Sequence, residues 1–190
     1  PSGYKTCPKL SMKIKINWQG DNKFYGMKKL QFHSQNLDQS KMHERLGYYM
    51  FRNFGITAPR SNHALLYING EFNGVFANTE NVDGPFTNKH FINPDGNLYK
   101  EVWPVKSSGG NREENYFIDG LKTNEEISDV TKIKRFSDQL GSVNKSDANQ
   151  IVEDWIDKDL FLKTILVDRR IANDDGFMHF YHEGGLNYEN

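Results

Sequence analysis

A long apolar segment, Trp155 to Val167, runs into Ile171-Ala-Asn-Asp-Asp-Gly-Phe-Met-His-Phe-Tyr181, and that junction constrains the chain more than any other feature. Asn173-Asp174-Asp175-Gly176 is no helix interior. Short Asn and Asp side chains compete for backbone hydrogen bonds, and glycine lacks the Cβ that limits backbone freedom. The chain must therefore end a buried helix here and enter a loop, the kind of place where a rigid scaffold presents reactive groups. The stretch carries a carboxylate, an amide, a glycine and an imidazole within a few residues. A plain polar turn closed by a helix-ending glycine has the same composition, and spacing alone leaves both readings open.

The 190 residues suffice for one domain with a sizeable core, or for two small lobes sharing a cleft. Only 36% of the residues are apolar, but 13 Phe, 9 Tyr and 3 Trp supply core material. The 24 Lys and Arg nearly cancel the 25 Asp and Glu, which argues against a general nucleic-acid binder. Cys7 is the single cysteine, so no internal disulfide can form. That fits a reducing compartment without excluding secretion. Asn144-Lys145-Ser146 is a glycosylation triplet of low specificity. No apolar run approaches the ~18–20 residues needed to span a bilayer, and no signal peptide is present. The chain starts at Pro1 without a methionine and reads as a piece of something longer.

Met12 to Trp18 alternates like a half-buried strand, and Phe24 to Phe32 reads as one or two strands broken at Gly26. Asp38 or Ser40 can cap a helix running to about Asn53, with Met42, Leu46, Tyr49 and Met50 on its buried face and Gly55 at its end. His63 to Ile68 and Phe72 to Asn78 flank Asn69-Gly70, a tight hairpin signal. A short helix is expected near Thr87 to Phe91, and a strand over Gly96 to Val102. The segment 103–122, with Ser107-Ser108-Gly109-Gly110, has the composition of a mobile loop. Thr123 and Glu126 have capping-box spacing before a helix bearing Ile127, Val130, Ile133 and Phe136. Ser146 can cap a short helix, and Trp155 to Arg170 reads as the main apolar helix. The expected class is α+β: a β-rich lobe with one main helix over 1–102, a linker over 103–122, and an incomplete helical lobe over 123–190. Many α+β domains share such a layout.

Several local sequences, in order, narrow this further. They are Gly26-Met27-Lys28-Lys29-Leu30-Gln31-Phe32, the helix opening Asp38 to Leu46, and Ile56-Thr57-Ala58-Pro59-Arg60. The hairpin Tyr67-Ile68-Asn69-Gly70-Glu71-Phe72-Asn73-Gly74-Val75 follows, then Glu80-Asn81-Val82-Asp83, Gly96 to Lys100, and Asn173-Asp174-Asp175-Gly176-Phe177-Met178-His179. Together they resemble the spore-coat protein H (CotH) kinase family over almost the whole chain. That resemblance implies an atypical, secreted branch of the protein-kinase-like fold. It implies ATP with Mg²⁺ or Mn²⁺ as cofactors and a protein substrate of a secreted, cell-surface or spore-coat kind. Two departures stand out. The family loop usually continues His-Asn, whereas Phe180 follows His179; Asn187 or Asn190 could supply the metal-holding amide, or metal binding is impaired. The family's later Pro-Trp-Asp-x-Asp segment does not occur before Asn190, so the catalytic domain reads as truncated.

Phosphoryl transfer asks the protein for positioning and for charge neutralisation around the phosphates. Lys28 and Lys29 are adjacent on an expected strand, so only one can face a cleft; the resemblance favours Lys28. Glu44, on the following helix, stands where an ion-pair partner belongs, or is a surface glutamate, or forms an exposed pair with Lys41. Glu80 either binds nucleotide or braces the connection between lobes. Asp175 is the candidate carboxylate for the acceptor hydroxyl proton. Asn173 and His179 are candidate supports for its loop, and Asn190 the candidate metal amide. Asp168, before Arg169 and Arg170, reads as helix-borne and structural. His179, His182 and Glu183 make a poor transition-metal site without a helix, no nucleophile elbow supports a hydrolase, and Cys7 sits near a chain end. The competing function is a non-catalytic surface adhesion or assembly module of the same fold.

Overall fold

The computed structural model describes residues 9–106, 110–144, 146–173 and 176. It is α+β, with one four-stranded antiparallel sheet and six helices among the described residues. Residue contacts divide the chain into two units, Pro1–His90 and Phe91–Asn190, a division that falls before the expected 103–122 linker.

The first unit is built on strands β1 (Met12–Lys15), β2 (Lys29–His33), β3 (Ser61–Ile68) and β4 (Glu71–Thr79), in the spatial order β1-β2-β4-β3. The β3–β4 hairpin turns on Asn69 (φ 52°) and Gly70 (φ 87°). Two successive positive φ values are what a type I′ turn requires, and Asn-Gly is the pair that tolerates them best. Register runs from Ile68↔Glu71 to Ser61↔Thr79, with one irregularity at Leu66/Tyr67 where Gly74 takes φ 125°. Alternation gives the sheet two unlike faces. Phe32 and Phe76 are buried and meet edge-to-face at 6.5 Å, and the Lys9 ammonium lies 4.4 Å from the centre of the Phe76 ring. The other face carries Lys29, Gln31, His33, Ser61 and Thr79.

Helix α1 (His43–Asn53) crosses that polar face. Asp38 accepts from the His43 backbone N–H at 2.8 Å, and from Ser40 N–H at 2.9 Å and its hydroxyl at 2.6 Å. It thus organises the helix entry, although the helix itself begins only at His43. The Ser40 hydroxyl bond, then the His43 amide, hold its carboxyl below the ordinary value. At the other end Gly55 (φ 76°) donates to Arg52 O at 3.0 Å and Ile56 to Phe51 O at 3.0 Å, a Schellman cap. The inward face is not the expected one. Leu46 and Tyr49 are half exposed while Gly47 is buried, and Glu44 points at the sheet. The sheet offers polar groups there, so helix rotation follows hydrogen bonding rather than apolar periodicity. Helix α2 (Gly84–His90) closes this unit and buries Phe86 and Thr87.

The second unit contains α3 (Glu114–Gly120), α4 (Thr131–Ser142), α5 (Ala148–Trp155) and α6 (Lys158–Arg170). Its core includes Phe117, Leu121, Val130 and Val167. Phe117 lies in the segment expected to be loop: residues 114–120 are helical because one aromatic there anchors in the core. The expected strand over 96–102 reduces to a single bridge, Tyr99↔Leu121. Thr123 caps no helix; its hydroxyl accepts from Leu98 N–H at 2.8 Å and donates to Gly96 O at 3.0 Å. Helix α4 starts at Thr131 instead, leaving Ile127 exposed. The expected 155–170 helix is broken at Ile156 and Asp157, whose backbone is extended, and the Asp157 carboxylate caps α6 by accepting from Leu160 N–H at 3.0 Å. Leu160, Leu162 and Leu166 are exposed by 42%, 62% and 48%, so α6 is buried only along a narrow strip at Val167 and Asp168.

Gly55→Ala meets nothing within 4 Å, so its cost is conformational. We expect it to lower stability by about 1 kcal/mol, read as a lower urea midpoint at unchanged m-value. Phe76→Ala should cost about 3–5 kcal/mol in the same measurement.

Candidate functional site

Lys29 opens β2, Ser61 opens β3 and Thr79 ends β4, so all three lie at one end of the sheet. An open hollow of about 530 Å³ forms there, lined among others by Lys28, Lys29, Arg60, Glu80, Asp83 and Lys89. That volume is in the range of small-molecule sites. Both lysines line it. The alternation expected to turn one of them away does not apply, because the strand begins at Lys29 and Lys28 stands in the bend before it. The Lys29 ammonium lies 3.4 Å from Asp83 Oδ2, which also accepts from the Asn81 side-chain amide. The Lys28 side chain has no hydrogen bond or ion pair among the described residues.

Glu80 is fully engaged. Its Oε1 accepts from Arg60 Nη2 at 2.9 Å, and its Oε2 accepts from Arg60 Nε at 3.2 Å, from the Arg60 backbone N–H at 3.2 Å and from His90 Nε2 at 3.1 Å. Partial burial pushes its carboxyl up, but the Arg60 and His90 hydrogen bonds outweigh this and hold it below the ordinary value. Glu80 ties the start of β3 to the end of α2 while it also lines the hollow.

Glu44 pairs with neither lysine among the described contacts, nor with Lys41 as the surface reading had it. Its Oε1 accepts from His33 Nδ1 at 2.8 Å and from the Thr79 hydroxyl. With the Thr79 proton so used, Ser61 Oγ donates to Thr79 Oγ1 at 3.0 Å. Gln31 Nε2 contacts His33 Nε2, so that ring nitrogen accepts and Nδ1 carries the proton facing Glu44. Burial, then the Glu44 charge, push the Tyr48 hydroxyl up. Glu44 therefore clamps α1 to the sheet rather than orienting a lysine. His33 and Arg60 are the partners that sequence reasoning missed; a histidine and an arginine at strand ends give no local signal of whom they will meet.

In the second unit, α6 delivers Asp168 to the loop that follows. Asp168 is 3% exposed, and its Oδ1 accepts from the Asn173 side-chain amide at 2.7 Å. The support expected of Asn173 thus has a partner, whereas Asp168, read as merely structural, is buried at the loop base. Asp175, His179 and Asn190 lie outside the described residues, as do Asp174, Asn187 and the His179/His182/Glu183 group. Among the described residues there is no group of three or more His, Cys, Asp or Glu placed to hold a metal ion, and no helix long and apolar enough to cross a membrane.

The family model described as CotH kinase protein matches residues 2–187. The chain belongs to the CotH kinase family. No curated protein matches it. Across this CotH chain the hollow, the Glu80 brace and the Glu44 clamp occupy the first unit, and the Asn-Asp-Asp-Gly loop occupies the second.

Glu80 offers a pH test. Its folded-state carboxyl titrates below the ordinary 4.5, so the unfolded chain takes up that proton first. The stabilisation is whole above 4.5 and disappears as pH falls through the lower folded value. Glu80→Gln should remove this part of the acid limb when urea midpoints are measured from neutral pH downward. An acid limb identical to the parent's would exclude Glu80 as a source.

Proposed function

We propose that this protein is an ATP-dependent phosphotransferase, a serine/threonine protein kinase of the CotH type, acting on secreted or surface proteins and itself located there. Family membership supports a kinase-like reading, and the observation that carries the reading to this chain is the cationic hollow at the sheet end. A Lys28 ammonium with no partner among the described residues, beside a Lys29 oriented by Asp83, suits the phosphates of a nucleotide. The α+β layout, sheet unit first and helical unit second, is consistent with a kinase-like fold.

In this reading Lys28 and Lys29 neutralise phosphate charge, and Glu80 and Glu44 keep the wall of the nucleotide site rigid. The Asp175 carboxylate takes the proton of the acceptor hydroxyl as that oxygen bonds phosphorus and ADP departs. Asn173 and His179 support the loop. Mg²⁺ of the kinase kind needs only one or two carboxylates besides phosphate oxygens and water, so it does not demand a preformed cluster of three acidic or imidazole ligands. Loop carboxylates, with Asn190 or Asn187 supplying an amide, would hold it, and it would neutralise charge on the transferred group.

Transfer of γ-labelled phosphate to a serine-rich acceptor protein, with Mg²⁺ or Mn²⁺, tests this. Asp175→Ala should lower kcat about 10²–10⁴-fold. Lys28→Ala should raise KM for ATP about tenfold, the equivalent of 1.4 kcal/mol. Equal transfer by the parent and Asp175→Ala removes Asp175 from the mechanism. Absence of any metal-dependent heat on titration with ATP would favour the adhesion or assembly module.

A further inference from the structure

The end of α6 carries a buried oxygen that no described residue satisfies. Asp168 is 3% exposed, and its Oδ2 has no hydrogen-bond partner among the described residues. An unsatisfied carboxylate oxygen in a core is costly, and folds keep such groups where they serve a purpose. Asn173 and Gly176 both approach this one carboxylate. Asn173 donates its side-chain amide to Oδ1 at 2.7 Å and its backbone N–H to the Asp168 carbonyl at 3.1 Å. The Gly176 N–H then donates to Asn173 O at 3.4 Å. A Cβ at Gly176 would stand 2.2 Å from Asp168 Oδ2 and 2.5 Å from Oδ1. Contacts that short do not occur, so a side chain at 176 would force the Asp168 carboxylate to move. Ala172 takes φ 49° to make the turn, a conformation that costs a non-glycine residue energy and persists only where surrounding contacts enforce it.

We infer that Asp168 is a positioning residue for phosphoryl transfer: it holds Asn173 and Gly176, the two described residues that flank the candidate Asp175 in sequence. The kinetic part of this inference rests on the phosphotransferase reading above; the anchoring part does not. The pinning is double. The amide of Asn173 fixes the N-terminal end by a hydrogen bond, and the bare Cα of Gly176 fixes the C-terminal end by close packing. A buried side chain on a helix is a firmer base for a loop than exposed loop contacts, because α6 holds it through backbone bonds.

The experiment compares Asp168→Ala, Asn173→Ala, Gly176→Ala and the swap Asp168→Asn with Asn173→Asp. It measures γ-phosphate transfer together with amide hydrogen exchange at residues 173 and 176. Each single substitution should lower kcat about 10- to 100-fold while KM for ATP changes less than about twofold. Each should also release amide protection at both positions. The swap returns a donor and an acceptor to the pair and should recover most of both signals. Unchanged kcat, or unchanged protection at 173 and 176, overturns the inference; so does a swap no better than the single alanines. If Asp168→Ala does not fold, Asn173→Ala and Gly176→Ala decide the question from the loop side. If the parent transfers no phosphate, the enzymatic reading fails, and protection at 173 and 176 still decides whether Asp168 anchors the loop.

Discussion

Strand β4 is hydrogen-bonded along both edges, to β2 and to β3, and its register is set from the Asn69-Gly70 turn. A one-residue slip of this strand would move every one of its side chains to the opposite face. With the turn in place, Thr79 falls opposite both Ser61 and Gln31, and so lands under Glu44 of α1. The next residue, Glu80, leaves the sheet on the side of Arg60, whose carbonyl accepts its backbone N–H at 2.8 Å. The Glu44 clamp and the Glu80 brace are thus consequences of one tight turn together with the irregularity at Leu66/Tyr67 in the same hairpin.

The two carboxylates do different work because their surroundings differ. Glu44 is inserted between a helix and a polar sheet face and is matched by two donors, His33 and Thr79. Glu80 sits at the rim, where a guanidinium grips it with two side-chain bonds. Bidentate, charge-assisted bonds of that kind are among the stronger ones available to a protein. Asp83, a short step along the connector, is then the acid facing Lys29. The positive character of the hollow survives because Glu80 and Asp83 are committed to partners, while Lys28 has none among the described residues.

Features decided by one or two adjacent residues were legible in the sequence. Asn69-Gly70 demanded a turn, Gly55 ended α1, and the alternation from Met12 marked a strand. Features decided by long-range partners were not. Thr123 and Glu126 have capping-box spacing, yet the Thr123 hydroxyl serves Leu98 and Gly96, distant in sequence, and the helix starts later. Met42, Leu46, Tyr49 and Met50 form a fair apolar stripe, yet α1 turns Glu44 inward because the sheet beneath is polar. At the site, Lys28 and Lys29 were found from order and charge, whereas the partners of Glu44 and Glu80 depended on which strand ends meet.

From its residues alone the chain dictated an α+β arrangement, a hairpin of fixed register and a loop after the last apolar helix, because turn geometry and side-chain alternation act within a few residues. Tertiary structure decided that Glu44 clamps rather than aims, that Arg60 and His90 hold Glu80, and that Asp168 lies buried beneath Asn173 and Gly176. Those outcomes turn on charged and polar groups finding partners far along the chain. Burial makes an unmatched polar group costly, so the packed fold, and not local preference, chooses the pairs.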